Sequence, residues 1–383
     1  MLRTTALWIA LASTILLSAS ARGQEEARDW DALFERTEGW LGADGVYSLD
    51  LGSRRDAEPL YLWHFSDTFA GATKDEGREF ASRQMVNHSF ALLKGTNPNP
   101  DKIAFYCDAD PETKRAENFL PGKYWLQAAI LLDDKVWISA ILVGEGWKPA
   151  RVDAATIPLD PETRRPDFSR AQVDADVPLS LKTDDAQLVW GAAILDEPNA
   201  PFVYVYGYVD RLREKSRKDM VAARVPKENF ERVDAWEYYD GSDWTQDPLA
   251  VLTPEATLVR RVSTEFSVSK IPSGPARGDY LLVYTPGVIG PSVAYRVGKS
   301  PLGPFGEERV FYRSSVPREL PGVRCYNAKA HPAFSDENGI LVSYNVNRLG
   351  DMARKPAEYR PRFLRLRWET IGAPRSSRNS SGN

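Results

Sequence analysis

Short apolar runs recur along this chain in pairs, each pair split by a polar turn. Residues 42–51 and 60–69 flank a Gly- and Pro-punctuated stretch at 52–59. Residues 124–132 and 136–143 flank Asp133-Asp134. Residues 190–195 and 202–209 flank a turn with Pro198 and Pro201, and 265–271 and 280–285 flank a Pro/Gly loop. Residues 327–334 and 340–345 flank Asp336-Glu337-Asn338-Gly339. The runs are rich in β-branched and aromatic residues, which predicts β-hairpins. Weaker strand signals follow each hairpin, at 85–94 and 103–106, 155–159 and 177–181, 220–225 and 236–239, 292–297 and 309–312, and 363–368. Five hairpin-led units of ~45–70 residues are a propeller signature. The expected fold is therefore all-β, a five-bladed β-propeller over residues 28–370 as one domain. A pair of β-sandwiches is the alternative, but the units keep an even make-up and no linker divides them. The last unit lacks a clear fourth strand, so an N-terminal segment is expected to complete it. Residues 28–41, with Trp30, Leu33, Phe34 and Trp40 as apolar positions, predict a short helix before the first hairpin.

The ends bear on where the chain works. Arg3, an apolar run from Ala6 to Leu17 and small residues at Ser18, Ala19, Ser20 and Ala21 read as a secretory signal over residues 1–23. A secreted or periplasmic location is expected. No later run approaches the ~18 apolar residues of a membrane helix. Residues 371–383 offer little to bury and predict a disordered tail. The first 23 residues hold two Arg and no acid, so their removal takes the formal net charge from −4 to −6. A mildly acidic chain without a dominant basic face is a poor nucleic-acid binder. The basic run from Arg211 to Lys218 reads as a solvated loop, with a rim contact for an acidic substrate as the alternative. Cys107 and Cys325 can bridge, as a secreted setting permits, or stay free and buried.

Chemistry enters through the first hairpin. Pairing Leu51 with Leu60 and Leu49 with Leu62 sets Asp44 opposite Asp67. Like charges directly opposite destabilise a sheet. A shared carboxylate site also raises one pKa and leaves the other group ionised, as acid/base work on a glycosidic bond requires. Two turns, Ala-Asp-Gly at 43–45 and Ser-Asp-Thr at 66–68, account for the same residues without chemistry. In a propeller the inner strands run the same way and their starts share one rim. Those starts are Asp44, Tyr124, Trp190, Glu265 and residues 327–331, with Asp67 beside them. Asp44, Asp67 and Glu265 are the candidate catalytic residues, with general acid as a role for Glu265. Asn87, His88, Trp190, Tyr326, Asn327, His331 and Asn345 are the candidate sugar-binding residues. Aromatic faces would stack on the ring, and amides and imidazoles would bond its hydroxyls. Structural readings stand beside these: Glu265 can pair with Arg260 or Arg261, His331 and Trp190 can be core residues, and Asn87 and His88 can satisfy backbone groups. No Ser-His-Asp order, phosphate-binding Gly loop or Cys/His zinc spacing occurs, so no cofactor or metal is expected.

Several segments carry a resemblance. They include Gly-Ala-Asp-Gly-Val-Tyr-Ser at 42–48, Phe-Ser-Asp-Thr-Phe at 65–69, Asn87-His88-Ser89, Trp190-Gly191-Ala192 and the Trp-rich stretch 236–244. Glu265-Phe266-Ser267, Ser-Pro-Leu-Gly-Pro-Phe at 300–305, Tyr-Asn-Ala-Lys-Ala-His at 326–331 and Ser343-Tyr344-Asn345-Val346-Asn347 complete them. Over about residues 38–350 the chain resembles secreted bacterial five-bladed propellers classed as domains of unknown function. These are similar to the propeller glycoside hydrolases, including the endo-D-arabinanases and the arabinanase/xylosidase group. The resemblance implies a poly- or oligosaccharide substrate and points to the first-blade pair Asp44 and Asp67. Related chains usually show Gly before the second Asp, where this one has Ser66. A glycoside hydrolase is the expected function, and a non-catalytic carbohydrate-binding propeller the alternative.

Overall fold

The computed structural model describes residues 24–52, 58–109, 116–214, 217–348 and 353–371. The expected signal at 1–23 and the tail from 372 lie outside these residues, while Ile371 is buried. The chain is all-β. Its hairpins form where the alternating apolar runs predict them, and each grows into an antiparallel sheet.

The first sheet orders Tyr47–Asp50, Leu60–Phe65, Ser89–Lys94 and Ile103–Tyr106. The second orders Tyr124–Leu132, Lys135–Val143, Pro149–Pro158 and Gln172–Asp174. The third is built on Ala186–Leu195, Val203–Arg211, Lys218–Val225 and Glu237–Tyr239, with short strands added. The fourth orders Phe266–Lys270, Tyr280–Tyr284, Ser292–Gly298 and Arg309–Arg313. The fifth takes Val323–Ser335, Gly339–Arg348 and Arg362–Arg367 from the end of the chain and Gln24–Glu26 from its start. The N-terminal segment thus supplies the strand that the last unit lacked.

The leading long strands of the five sheets touch in cyclic order: first against second, second against third, third against fourth, fourth against fifth, and fifth against first. Apolar layers fill the spaces between neighbouring sheets. Leu62, Leu92, Leu126 and Ile138 join the first sheet to the second, and Leu281, Val283, Val342 and Leu364 join the fourth to the fifth. An aromatic layer joins the fifth to the first, where Trp63 stacks on Phe334 at 5.0 Å and Trp30 meets Phe334 edge-on at 4.8 Å. The centre is polar instead. The Tyr47 hydroxyl donates to the Ala192 carbonyl at 3.1 Å, across from the first sheet to the third. The Gln127 amide donates to the Thr264 carbonyl at 3.4 Å, tying the second sheet to the segment entering the fourth.

Three expectations need correction. The helix covers only Arg28–Leu33, because Trp40 and Leu41 belong to the strand Glu38–Ala43. Gly39, at φ +71°, breaks a helical path. The run 85–94 is two strands, Glu79–Val86 and Ser89–Lys94, in different sheets. The second unit's weak strands also differ: the one expected at 155–159 is longer, Pro149–Pro158, and the one expected at 177–181 is Ser180–Lys182, which pairs with Ala186–Leu195 in the third sheet while Gln172–Asp174 completes the second. A separate three-stranded sheet, Glu38–Ala43, Thr68–Lys74 and Glu79–Val86, extends the first hairpin beyond the ring. Cys107 and Cys325 are free thiols.

Candidate active site

The long first hairpin changes sheets in its middle, and the carboxylates sit at that break. Tyr47 lies opposite His64 and Leu49 opposite Leu62 in one sheet, while Ala43 lies opposite Thr68 in the next. Between the two ladders the Asp44 N–H donates to the Asp67 carbonyl at 3.1 Å, and the Ser66 N–H to the Asp44 carbonyl at 2.8 Å. The register read from the sequence therefore holds through both aspartates. Gly45 makes the break possible. Its φ is +58°, and a Cβ there would lie 2.3 Å from Ser66 Oγ. That hydroxyl is already engaged with the Leu126 carbonyl at 3.2 Å, which fixes the first sheet on the second.

Asp44 is the more accessible of the pair, and Asp67 is 8% exposed. Burial, then the Asp67 charge nearby and the more distant Glu265, push the Asp44 carboxyl well above the usual carboxylate range. The Tyr326 hydroxyl, which donates to Asp44 Oδ2 at 2.7 Å, and the Tyr359 hydroxyl oppose that rise. Burial also raises Asp67, against the Asn87 amide, the Trp125 indole N–H and the Lys123 ammonium. The Asn87 amide donates to Asp67 Oδ1 at 2.7 Å. Neither aspartate makes a salt bridge among the described residues.

Glu265 has a different setting. It is 7% exposed, accepts from the Asn327 amide at 2.6 Å and is ion-paired with Lys329. Lys329 is 1% exposed, and its ammonium also sits 4.1 Å over the Tyr47 ring, a cation–π contact that further offsets its desolvation. Burial raises Glu265 and lowers Lys329, and each opposes the shift of the other. Two donors, one of them a cation, leave this carboxylate acting as an acceptor.

The fold thus brings Asp44, Asp67, Glu265, Asn87, Tyr326 and Asn327 together. Three other candidates lie away from this hydrogen-bonded cluster. Trp190 is buried against Trp236 and Tyr238. His88 is buried and accepts from the Leu120 N–H at 2.9 Å. His331 is buried, with ring nitrogens 2.9 Å from Ser48 Oγ and 2.8 Å from Ser343 Oγ. Asn345 is buried opposite Tyr326 in the strand ladder, and its amide lacks a hydrogen-bond partner. Lys329, Tyr359, Trp125 and Tyr47 were not singled out from the sequence. Lys329 had a signal: a lysine between Ala328 and Ala330 in a buried strand demands a partner. Among the described residues, no His, Cys, Asp and Glu cluster could hold a metal ion, and no helix is long and apolar enough to cross a membrane.

The chain belongs to the family described as Domain of unknown function (DUF5005), whose model matches residues 27–368. No curated protein matches it. A presumed hydrolase from Bacteroides ovatus, 19% identical, aligns with a TM-score of 0.68 over 92% of this chain and 93% of that one. The two share a fold. The exo-β-1,3-galactanase of Phanerochaete chrysosporium, solved with β-1,3-galactotriose, aligns at 12% identity and TM-score 0.44, covering 92% of this chain and 66% of that one. The GH43_1 enzyme of Xanthomonas citri, solved with xylose, aligns at 12% identity and TM-score 0.45 over 89% of this chain and 93% of that one.

Proposed function

We propose that this chain is a glycoside hydrolase on a five-bladed β-propeller, acting on a poly- or oligosaccharide at the Asp44–Asp67 pair. The cyclic contact of the five sheets supports the blade count. One observation carries the activity: two aspartates lie opposite each other at a hairpin break, near enough for the charge of Asp67 to raise the Asp44 carboxyl, and neither has a salt bridge among the described residues. Such a pair shares one proton. Asp44 is the better proton holder, because Asp67 and Glu265 both disfavour its charge. Asp67 is the better anion, because Asn87, Trp125 and Lys123 favour its charge. Asp44 then protonates the leaving glycosidic oxygen while Asp67 attacks the anomeric carbon. Ionised Asp44 next deprotonates the water that releases the sugar. Glu265, held by Lys329, is assigned as a fixed anion that keeps Asp44 protonated, and the general-acid role passes to Asp44. Residues that face each other across strands place their carboxyls at short range, so the proposed outcome is retention.

The test is reducing-sugar release from plant, algal and bacterial-wall glycans by wild type, Asp44→Asn and Asp67→Asn. Loss in both variants with unchanged or higher melting temperature is expected, and the first-formed anomer, followed by NMR, should match the substrate. Glycan binding that survives both substitutions, with no turnover on any glycan, would replace this reading with a carbohydrate-binding propeller. Export is proposed from residues 1–23. Fractionation of cells expressing the full chain tests it, and retention in the cytoplasm would overturn it.

A further inference from the structure

Trp147 is the one exposed tryptophan among the described residues, at 57%. It ends the turn Glu145–Trp147, between the strands Lys135–Val143 and Pro149–Pro158 of the second sheet. Its φ is +60°. A bulky residue in the left-handed region costs about 1–2 kcal/mol and persists only where its surroundings hold it. Here the holder is Trp125. The two indoles lie nearly parallel, 10° between planes, with centroids 6.4 Å apart. Trp125 stands near the start of the inner strand Tyr124–Leu132, and its indole favours charge on Asp67 although its buried N–H lacks a partner within hydrogen-bond distance. Asp67, Trp125 and Trp147 therefore form a succession that leads outward from the carboxylates to solvent.

We propose that the solvent-facing side of Trp147 is a sugar-binding subsite, seating a ring further along the glycan than the one cleaved. A sugar presents one face of C–H groups and a rim of hydroxyls. A flat indole removes the first from water and leaves the second free. Because the backbone already holds Trp147 in place against Trp125, little side-chain freedom is lost on binding. This inference rests on the glycan reading above and adds a length preference to it. Substrates too short to reach Trp147 bind through the carboxylate cluster alone.

The test is calorimetric titration with xylo-, arabino- and β-1,3-galacto-oligosaccharides of two to six residues. The full chain carries Asp44→Asn so that the probe is not consumed. In one series affinity should rise about tenfold or more with length, as burial of one further ring allows. Trp147→Ala should abolish that rise without weakening the shortest binder or lowering the melting temperature, and Trp147→Phe should keep most of it. An unchanged length dependence in Trp147→Ala, or equal weakening of short and long probes, would overturn the subsite and leave the hydrolase reading standing. Failure of every series to bind would overturn both.

Discussion

Two carboxylate sites lie at the centre of this protein, and they handle charge in opposite ways. Glu265 and Lys329 are a buried ion pair, completed by the Asn327 amide and the Tyr47 ring. Asp44, half-buried, and Asp67, buried, are two carboxyls side by side that take donors from Tyr326 and Asn87 and become a like-charge pair once Asp44 loses its proton. Removing one charge should therefore have opposite signs in the two places. In the first it strands a partner. In the second it ends a repulsion. The other buried carboxylates among the described residues follow the first pattern: Asp153 has Arg151, Asp219 has Arg211 and Arg217, and Glu358 has Arg348. The aspartate pair departs from it, and such departures are where function is expected to reside.

The largest effect tests the ion pair. Lys329→Met leaves Glu265 buried without its cation, a loss of about 3–5 kcal/mol in urea unfolding. The deficit should shrink in acid, where Glu265 takes up a proton. Adding Glu265→Gln removes the stranded charge while keeping an acceptor for Asn327, so the double variant should be more stable than Lys329→Met alone. A double variant no better than the single would show that packing, and not charge, holds the pair.

The backbone at the aspartate break comes next. Gly45→Ala places a methyl 2.3 Å from Ser66 Oγ at a φ of +58°. A loss of about 1–3 kcal/mol is expected. Ser66→Gly in the same chain removes the side-chain collision and leaves the φ cost and a 3.0 Å approach to the backbone nitrogen of residue 66, so it should restore part of the stability. If Ser66→Gly restores nothing, the crowding is not what makes glycine necessary.

Smaller and of opposite sign is the release of the like-charge pair. Asp44 has a raised pKa in the fold, so its stabilising contribution is full below the unfolded carboxylate value and is lost as pH rises through the raised value. Asp44→Asn keeps the acceptor for Tyr326 and carries no such loss. It should melt about 2 °C higher than wild type above that pH range, with the gap closing in acid. A lower melting temperature than wild type above that pH range would mean that the pair is not in conflict.

Much of this was readable before any coordinates. The hairpins stood out because alternating apolar runs and Gly/Pro turns are local signals, and the register from Leu49–Leu62 carried through to Asp44–Asp67 because one slip would exchange Trp63 and Phe65 with Leu62 between the two apolar layers that this doubly buried strand separates. The sheet change at Gly45 and Ser66 was not readable, since it depends on how the hairpin meets Leu126 of the next sheet. Lys329 sat unread inside Tyr-Asn-Ala-Lys-Ala-His because its partner lies 64 positions away. Tyr359 follows a short Pro-led turn with no pattern of its own, and only the closure of the last sheet onto the first brings it to Asp44. His331 and Trp190 were drawn to the rim by their place near strand starts. Side-chain direction, which alternates along a strand, put them into packed layers instead.

The finest test separates the two sites by proton affinity alone. Tyr326 donates to Asp44 and so favours its ionised form. Tyr326→Phe removes that donor and leaves the ring. The Asp44 pKa should then rise further, and because the proposed acid must be protonated, the alkaline limb of kcat/KM should move to higher pH by about one unit or less, as the loss of one hydrogen bond to a charged group implies. The acid limb, set by Asp67 and its Asn87 donor, should stay in place, and stability should fall by only about 1 kcal/mol. A shift of the acid limb instead would exchange the roles of the two aspartates. No shift in either limb would mean that Tyr326 holds the strand and not the proton, and that Glu265, with its own buried charge, sets the alkaline limb.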